Sequence, residues 1–163
     1  MEIIIVIGAI LLISAAYAAF RGAPWVPTHK PDLERIKNLL DLKEGENFVE
    51  LGCGTGRVCH YIDRETKARS NGVELSLLQY LFARASGPAK IHLQDAFSHP
   101  MSEYDGVYVF LMPETYEKIK PKFEKELKRG ARVVSYVWPI GGWEPKTIDE
   151  REGYPKLYLY EVK

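Results

Sequence analysis

The chain has 163 residues, 22 of them basic and 22 acidic, so its formal net charge is zero; 46% of the residues are hydrophobic and 27% charged. That length and an ordinary apolar share support one domain with a real core. Zero net charge excludes a protein built to hold bulk nucleic acid, and apolar and aromatic residues running to the end of the chain exclude low-complexity disorder. Cys53 and Cys59 are too few for a disulfide framework and form no CxxC pair, so a structural zinc site is excluded as well. His29, His60, His92 and His99 are scattered without ligand spacing, which predicts structural or exposed histidines and no metal.

The first element is apolar all round. Residues 3–20 (IIIVIGAILLISAAYAAF) contain no charge, and 18 residues at a rise of about 1.5 Å reach roughly 27 Å, close to the hydrocarbon thickness of a bilayer. A buried soluble helix is one alternative. A secretory signal is another, because Ala16-Tyr17-Ala18 resembles a cleavage site; but a signal wants a basic start, and the only charge before the run is Glu2. The first positive charge, Arg21, lies on the far side, followed by His29 and Lys30, which orients the remaining domain towards the cytoplasm. The expected organisation is a single transmembrane anchor at 3–20, a junction at 21–30 and a globular domain at 31–163. Without its first 20 residues the chain loses Glu2 alone and stays near neutral.

The junction, with Pro24 and Pro27, prevents the anchor helix from continuing. A helix starts near Pro31, with Leu33, Ile36, Leu39 and Leu40 as its apolar stripe. A strand at 47–51 runs into Gly52-Cys53-Gly54-Thr55-Gly56, and a helix carrying Val58, Tyr61 and Ile62 follows. The second strand is 70–74. Ser76 caps a helix with Leu77, Leu78, Leu81 and Phe82 that ends near Gly87-Pro88. Strands at 90–93 and 104–111, a charged helix at 114–127, a strand at 131–138 and a final hairpin pair at 146–151 and 156–162 complete the order. Strands alternating with helices predict an α/β fold with a doubly wound parallel sheet, to which the C-terminal β-hairpin adds an antiparallel edge. In such sheets the ligand sits beyond the strand C-termini where the strand order reverses.

Glu50-Leu51-Gly52-Cys53-Gly54-Thr55-Gly56 places glycines at every second position between a strand and a helix. They permit a tight turn and close approach of a ligand to the backbone, and the helix start beyond offers free N–H groups. The dinucleotide fingerprint requires a third glycine at position 57, where this chain has Arg57. A purely structural glycine turn is the other reading. Glu74 ends the second strand, where a carboxylate accepts ribose hydroxyls, and Asp95 follows the third. Acidic residues at three successive strand ends, one of them beside the glycine loop, point to a bound nucleoside.

The alternating ExGxGxG segment resembles motif I of the class I, seven-strand S-adenosylmethionine-dependent methyltransferases. Pro24-Trp25-Val26-Pro27-Thr28, Glu50 to Arg57 and Gly142-Trp143-Glu144-Pro145-Lys146 together resemble a compact lineage of protein lysine methyltransferases, among them broad-specificity archaeal and membrane-anchored mitochondrial enzymes. Thr55 stands where the lineage usually has Asp, and Glu50 where it often has Asp. The resemblance implies a seven-stranded Rossmann-like methyltransferase sheet after the N-terminal transmembrane helix, with S-adenosylmethionine as cofactor. It implies a cofactor set of Thr28, Glu50, Gly52, Gly54, Gly56, Glu74, Asp95 and Ala96, Asp95 accepting from the adenine amino group beside the Ala96 N–H.

The implied reaction is attack of a neutral amine on a sulfonium methyl group. The neighbouring cation lowers the amine pKa, so no dedicated base is required and none is assigned. Trp25, Phe110, Leu111, Tyr136, Trp138 and Trp143 are candidates for the substrate channel, aromatic faces being able to guide a cation. Phe110-Leu111-Met112-Pro113 replaces the (Asn/Asp)-Pro-Pro-(Tyr/Phe) motif of many nucleic-acid amine methyltransferases, which disfavours base methylation. The expected partner is a protein substrate bearing lysine, with membrane proteins suggested by the anchor, and no nucleic acid. A small molecule or lipid headgroup, or a non-catalytic cofactor-binding module, are the alternatives. The mixed charges of 114–129 read as a solvated helix face and Cys53 as a small filler.

Overall fold

The computed structural model describes residues 1–21 and 24–163; Gly22 and Ala23, part of the expected junction, lie outside the described residues. The elements in chain order are α1 (Glu2–Arg21), α2 (Asp32–Leu40), β1 (Asn47–Leu51), α3 (Arg57–Glu65), β2 (Arg69–Glu74) and α4 (Leu77–Ser86). They continue with β3 (Lys90–Leu93), β4 (Gly106–Val109), α5 (Pro113–Glu126), β5 (Arg132–Tyr136), β6 (Thr147–Asp149) and β7 (Leu157–Glu161). One seven-stranded sheet has the order β3-β2-β1-β4-β5-β7-β6. The first five strands are parallel, and β7 runs antiparallel between β5 and β6. The chain winds outward from β1 to β3 and then returns to add β4 on the other side of β1. The order therefore reverses at β1/β4, and the strand ends there flank a crevice.

The alternation along the central strands explains the two layers. Val49, Leu51, Val107, Val109 and Val133 face Tyr116, Ile119 and Phe123 of α5. Phe48, Tyr108, Val134 and Tyr136 face Ile36 and Leu40 of α2 and Val58 and Ile62 of α3. A strand covered on both faces needs apolar side chains at every position, which is why GVYV and VV read as continuous runs.

Two strands are shorter than the sequence pattern suggests. The run 104–111 pairs only over Gly106–Val109, and 131–138 only over Arg132–Tyr136. Beyond β4, Phe110 and Leu111 leave the ladder and turn to the crevice. Beyond β5, Val137 adopts φ 72°, a left-handed conformation costly for a β-branched residue. It is held by its N–H on Lys156 O (2.9 Å) and by the Ser135 hydroxyl on Trp138 O (2.7 Å). Ser76 occupies the N-cap of α4 as expected, but its hydroxyl pairs with the Gln79 side chain and leaves the backbone uncapped.

Helix α1 does not stand apart from the domain. It packs along α4, and the Leu77 N–H donates to Ser14 Oγ (2.8 Å). Its outward residues, among them Ile3, Ile4, Leu12, Ile13 and Phe20, stay exposed.

A buried polar network fixes α2, and with it residues 24–28, against the far end of the sheet. Asp32 is fully buried; its Oδ1 accepts from Arg35 Nη1 (2.6 Å) and its Oδ2 from the Tyr136 hydroxyl (2.5 Å). Arg35 also reaches Asp149 Oδ1 (2.6 Å), tying α2 to β6. Tyr136→Phe leaves Asp32 Oδ2 without this donor. We expect a loss of about 1–3 kcal/mol of stability in urea denaturation, the cost of a buried polar atom stripped of its partner. An unchanged midpoint contradicts this role.

Candidate functional site

The crevice at the switch point is built on the glycine loop between β1 and α3. Gly54 adopts φ 56°, and a Cβ built there would lie 2.6 Å from Trp25 Nε1. Any side chain would both strain the backbone and collide with the indole laid across the loop. Gly56, also at positive φ, occupies the N-cap of α3.

Glu74, at the end of β2, holds this loop in shape. Its Oε2 accepts the Gly54 N–H (2.7 Å) and its Oε1 the Ser76 N–H (2.7 Å). The carboxyl is buried, and desolvation raises its pKa against the opposing effect of the N–H groups of Ser76, Gly54 and Leu75. Each carboxylate oxygen has two lone-pair directions, so Glu74 retains acceptor capacity toward the crevice while holding the backbone.

A cavity of about 100 Å³ is lined by Gly52, Gly54, Glu74, Asp95, Ala96, Trp25, Phe110 and Leu111, and equally by Ala15, Ala18, Ala19 and Arg21 of α1. Asp95 folds its own turn, Oδ1 accepting from the Phe97 N–H (2.9 Å), while Oδ2 meets Arg21 Nη2 (2.7 Å). A smaller adjoining recess is lined by Trp25, Thr28, Gly52, Gly54, Thr55, Arg57 and Phe110. The buried Thr28 shares a hydrogen bond with the Tyr108 hydroxyl (2.8 Å), and its carbonyl accepts from Arg57 Nη1 (2.6 Å).

The structure thus brings Trp25, Thr28, Gly52, Gly54, Glu74, Asp95, Ala96, Phe110 and Leu111 to one crevice. Glu50 lies underneath it. Its Oε2 accepts the Cys59 N–H (2.8 Å), so it braces the first turn of α3 and does not line the cavity. Tyr136 is buried behind Phe110, the ring centroids 4.7 Å apart and edge-on. Trp138 lines neither recess. Trp143, expected at the channel, packs against Tyr160 and Phe123, with its indole N–H on Glu124 (2.9 Å). Residues not singled out from the sequence are the α1 wall, Phe97, Ser76 and Gln79 on the cavity and Tyr108 beneath Thr28. The signal for Arg21 was available in its place as the first cation after the apolar run, but that pattern speaks to orientation and not to contact.

Comparison with known proteins matches residues 50–147 to the ANTKMT methyltransferase domain. A protein-lysine N-methyltransferase of Saccharolobus islandicus (strain REY15A) is 33% identical over 150 residues, spanning 85% of this chain and 93% of the relative. A human ATP synthase lysine N-methyltransferase is 28% identical over 146 residues, and the match spans 85% of this chain but only 61% of that longer protein. The mouse adenine nucleotide translocase lysine N-methyltransferase is 29% identical over 155 residues, 88% of this chain and 67% of the relative. Among solved structures, an RNA methyltransferase from Salinibacter ruber in complex with S-adenosyl-L-homocysteine superposes with TM-score 0.81 at 28% identity, covering 84% of this chain and 94% of that one.

The brace beneath the loop has a pH signature. Burial first, and the nearby Glu74 charge, push the Glu50 pKa from 4.5 up to about 8 against the pull of the Cys59 N–H. The folded state therefore holds a proton that the unfolded chain releases near its ordinary value. The associated stability is full below about pH 4.5 and drains as pH rises through about 8. Thermal unfolding followed from pH 5 to pH 8.5 is expected to show a falling midpoint in the parent that is flattened in Glu50→Gln. Parallel curves for the two proteins contradict a protonated Glu50.

Proposed function

The chain belongs to the ANTKMT methyltransferase family and is an S-adenosylmethionine-dependent methyltransferase, and we propose that its acceptor is the ε-amine of lysine in membrane-associated proteins. The observation that carries the cofactor half is the junction of Glu74 with the Gly54 N–H at the strand reversal, with Asp95 one strand further out. Bound there, S-adenosylmethionine supplies an electrophilic methyl group on a sulfonium. The crevice suits it: Glu74 would accept the ribose hydroxyls, the Asp95 carboxylate and Ala96 N–H the adenine edge, and Gly52 and Gly54 would admit the amino-acid end against bare backbone.

At the acceptor end, Trp25, Phe110 and Leu111 present apolar and aromatic surface. Such walls exclude water and orient a lysine stem by contact. They also favour the neutral amine over the ammonium, as burial does for any cationic group, and the neutral form is the nucleophile. Among the described residues, the carboxylates lining this cavity are Glu74 and Asp95, both engaged by backbone N–H groups, so proton loss from the amine is assigned to solvent before closure.

Three observations support protein lysine over the alternatives. The archaeal, human and mouse relatives compared above act on protein lysines. Phe110-Leu111-Met112-Pro113 offers no polar side chain to pair with a base edge, and the neutral chain lacks the basic excess of a nucleic-acid enzyme. The short link from Asp95 to β4 leaves the crevice without a lid domain, which suits a protruding side chain on a large partner. Membrane association is supported by α1, 20 residues long and apolar on every face, with Arg21 at its C-terminal end orienting the domain to the cytoplasm. The corresponding organisation is an anchor at 3–20, a junction at 21–30 and a catalytic domain at 31–163.

The test is methyl transfer from labelled S-adenosylmethionine by the full-length protein to membrane fractions. Label is expected to migrate with protein and, after hydrolysis, with methylated lysine. Glu74→Ala, which removes the proposed ribose acceptor and releases the Gly54 N–H, is expected to lower transfer at least about 100-fold, two lost charge-assisted hydrogen bonds at roughly 1.5–3 kcal/mol each. Label in the organic extract contradicts the lysine acceptor, and equal transfer by Glu74→Ala contradicts the cofactor assignment.

A further inference from the structure

The wall that α1 contributes to the cofactor crevice sets two demands on the same helix against each other. Ala15, Ala18 and Ala19 close one side of the cavity, and Arg21 caps it. The Arg21 guanidinium lies over the Phe97 ring, 5.3 Å from its centroid, and bonds Asp95 Oδ2, the carboxylate oxygen that is free of the Phe97 turn. The Leu77 N–H on Ser14 fixes the helix one turn earlier at the start of α4. With α1 in place the cavity measures about 100 Å³, below the roughly 300–1,000 Å³ of small-molecule sites.

Docked in this way, α1 cannot also cross a bilayer. From Ser14 to Arg21 it is engaged with the domain, and residues 2–13 alone reach about 18 Å against a hydrocarbon core of about 30 Å. The outward residues of the docked helix, Ile3, Ile4, Leu12, Ile13 and Phe20, meet water. A helix with one narrow docked stripe of small residues and apolar side chains elsewhere gains more from lipid than from the domain.

We propose that α1 is a membrane-sensitive gate on the donor site: docked, Arg21 holds Asp95 and shuts the adenine end; withdrawn into a bilayer, it frees Asp95 and opens the cavity. The inference rests on the donor reading of the crevice given above. Insertion and donor binding are then linked, each favouring the other by the same factor. Such a gate confines donor uptake to protein already seated at a membrane, where its substrates are. The Arg21–Asp95 pair is partly exposed, which makes it a weak latch and a readily reversed one.

The experiment is calorimetric titration of S-adenosylhomocysteine into the full-length protein, in mild detergent and in lipid nanodiscs, for the parent, Arg21→Ala and Arg21→Lys. In detergent, Arg21→Ala is expected to bind about two- to fivefold more tightly than the parent, the span that an exposed ion pair contributes, and Arg21→Lys to stay near the parent. In nanodiscs the parent is expected to gain affinity and Arg21→Ala to gain less. Hydrogen exchange at the Leu77 amide reports the position of α1 independently, and S-adenosylhomocysteine is expected to accelerate it. Equal or weaker binding by Arg21→Ala, or slower exchange at Leu77 on ligand addition, overturns the gate and makes α1 a fixed wall of the site. Absence of heat in every sample with folded protein overturns the donor reading and the gate with it.

Discussion

The Glu74 carboxylate is the constraint on which the site depends. It sits at the tip of β2, one strand away from the glycine loop that follows β1, and takes one N–H from Gly54 and one from Ser76. A buried carboxylate needs such partners, and a loop of glycines needs an external acceptor to settle in one shape. Each meets the other's requirement. The same contact also fixes the distance between the loop and the start of α4, so that the crevice at the strand reversal has a floor before any ligand arrives.

Around that floor the chain arranges supports in layers. Glu50 braces α3 from beneath, Thr28 and Tyr108 bridge residues 24–28 to β4, and the Asp32–Arg35–Tyr136 network ties α2 to the far strands. Trp25 reaches the loop only because the segment before α2 is held at both ends. Phe110 owes its place to the early end of β4 and to the edge of Tyr136 behind it. The chemistry asked of this crevice is modest, since positioning and water exclusion account for most of an in-line methyl transfer. A rigid, polar donor half and an apolar acceptor half are the corresponding architecture.

Local patterns made much of this legible. The glycine spacing, Glu74 and Asp95 lie at strand ends whose positions follow from alternation and from turn residues, and the seven strands formed in the expected sequence. What escaped the sequence depends on long-range packing. Nothing local to GGWEP shows that Trp143 folds back on Tyr160 and Phe123. Nor does the YVW pattern reveal that Val137 turns left-handed and ends β5, because the cost is met by hydrogen bonds from distant residues. Glu50 looked like a ligand residue by motif position, yet its carboxyl points under the loop. An apolar run at the N-terminus identifies α1 as a membrane segment by length alone, and says nothing about the stripe of small residues that meets α4 and the crevice.

The structure of the full-length protein with S-adenosylhomocysteine bound tests the central claim most directly. The account predicts ribose oxygens within hydrogen-bond distance of Glu74, with the Gly54 N–H still on that carboxylate, and the adenine amino group at Asp95. A ligand seated elsewhere on the sheet, or a Glu74 side chain turned away from the ribose, contradicts it.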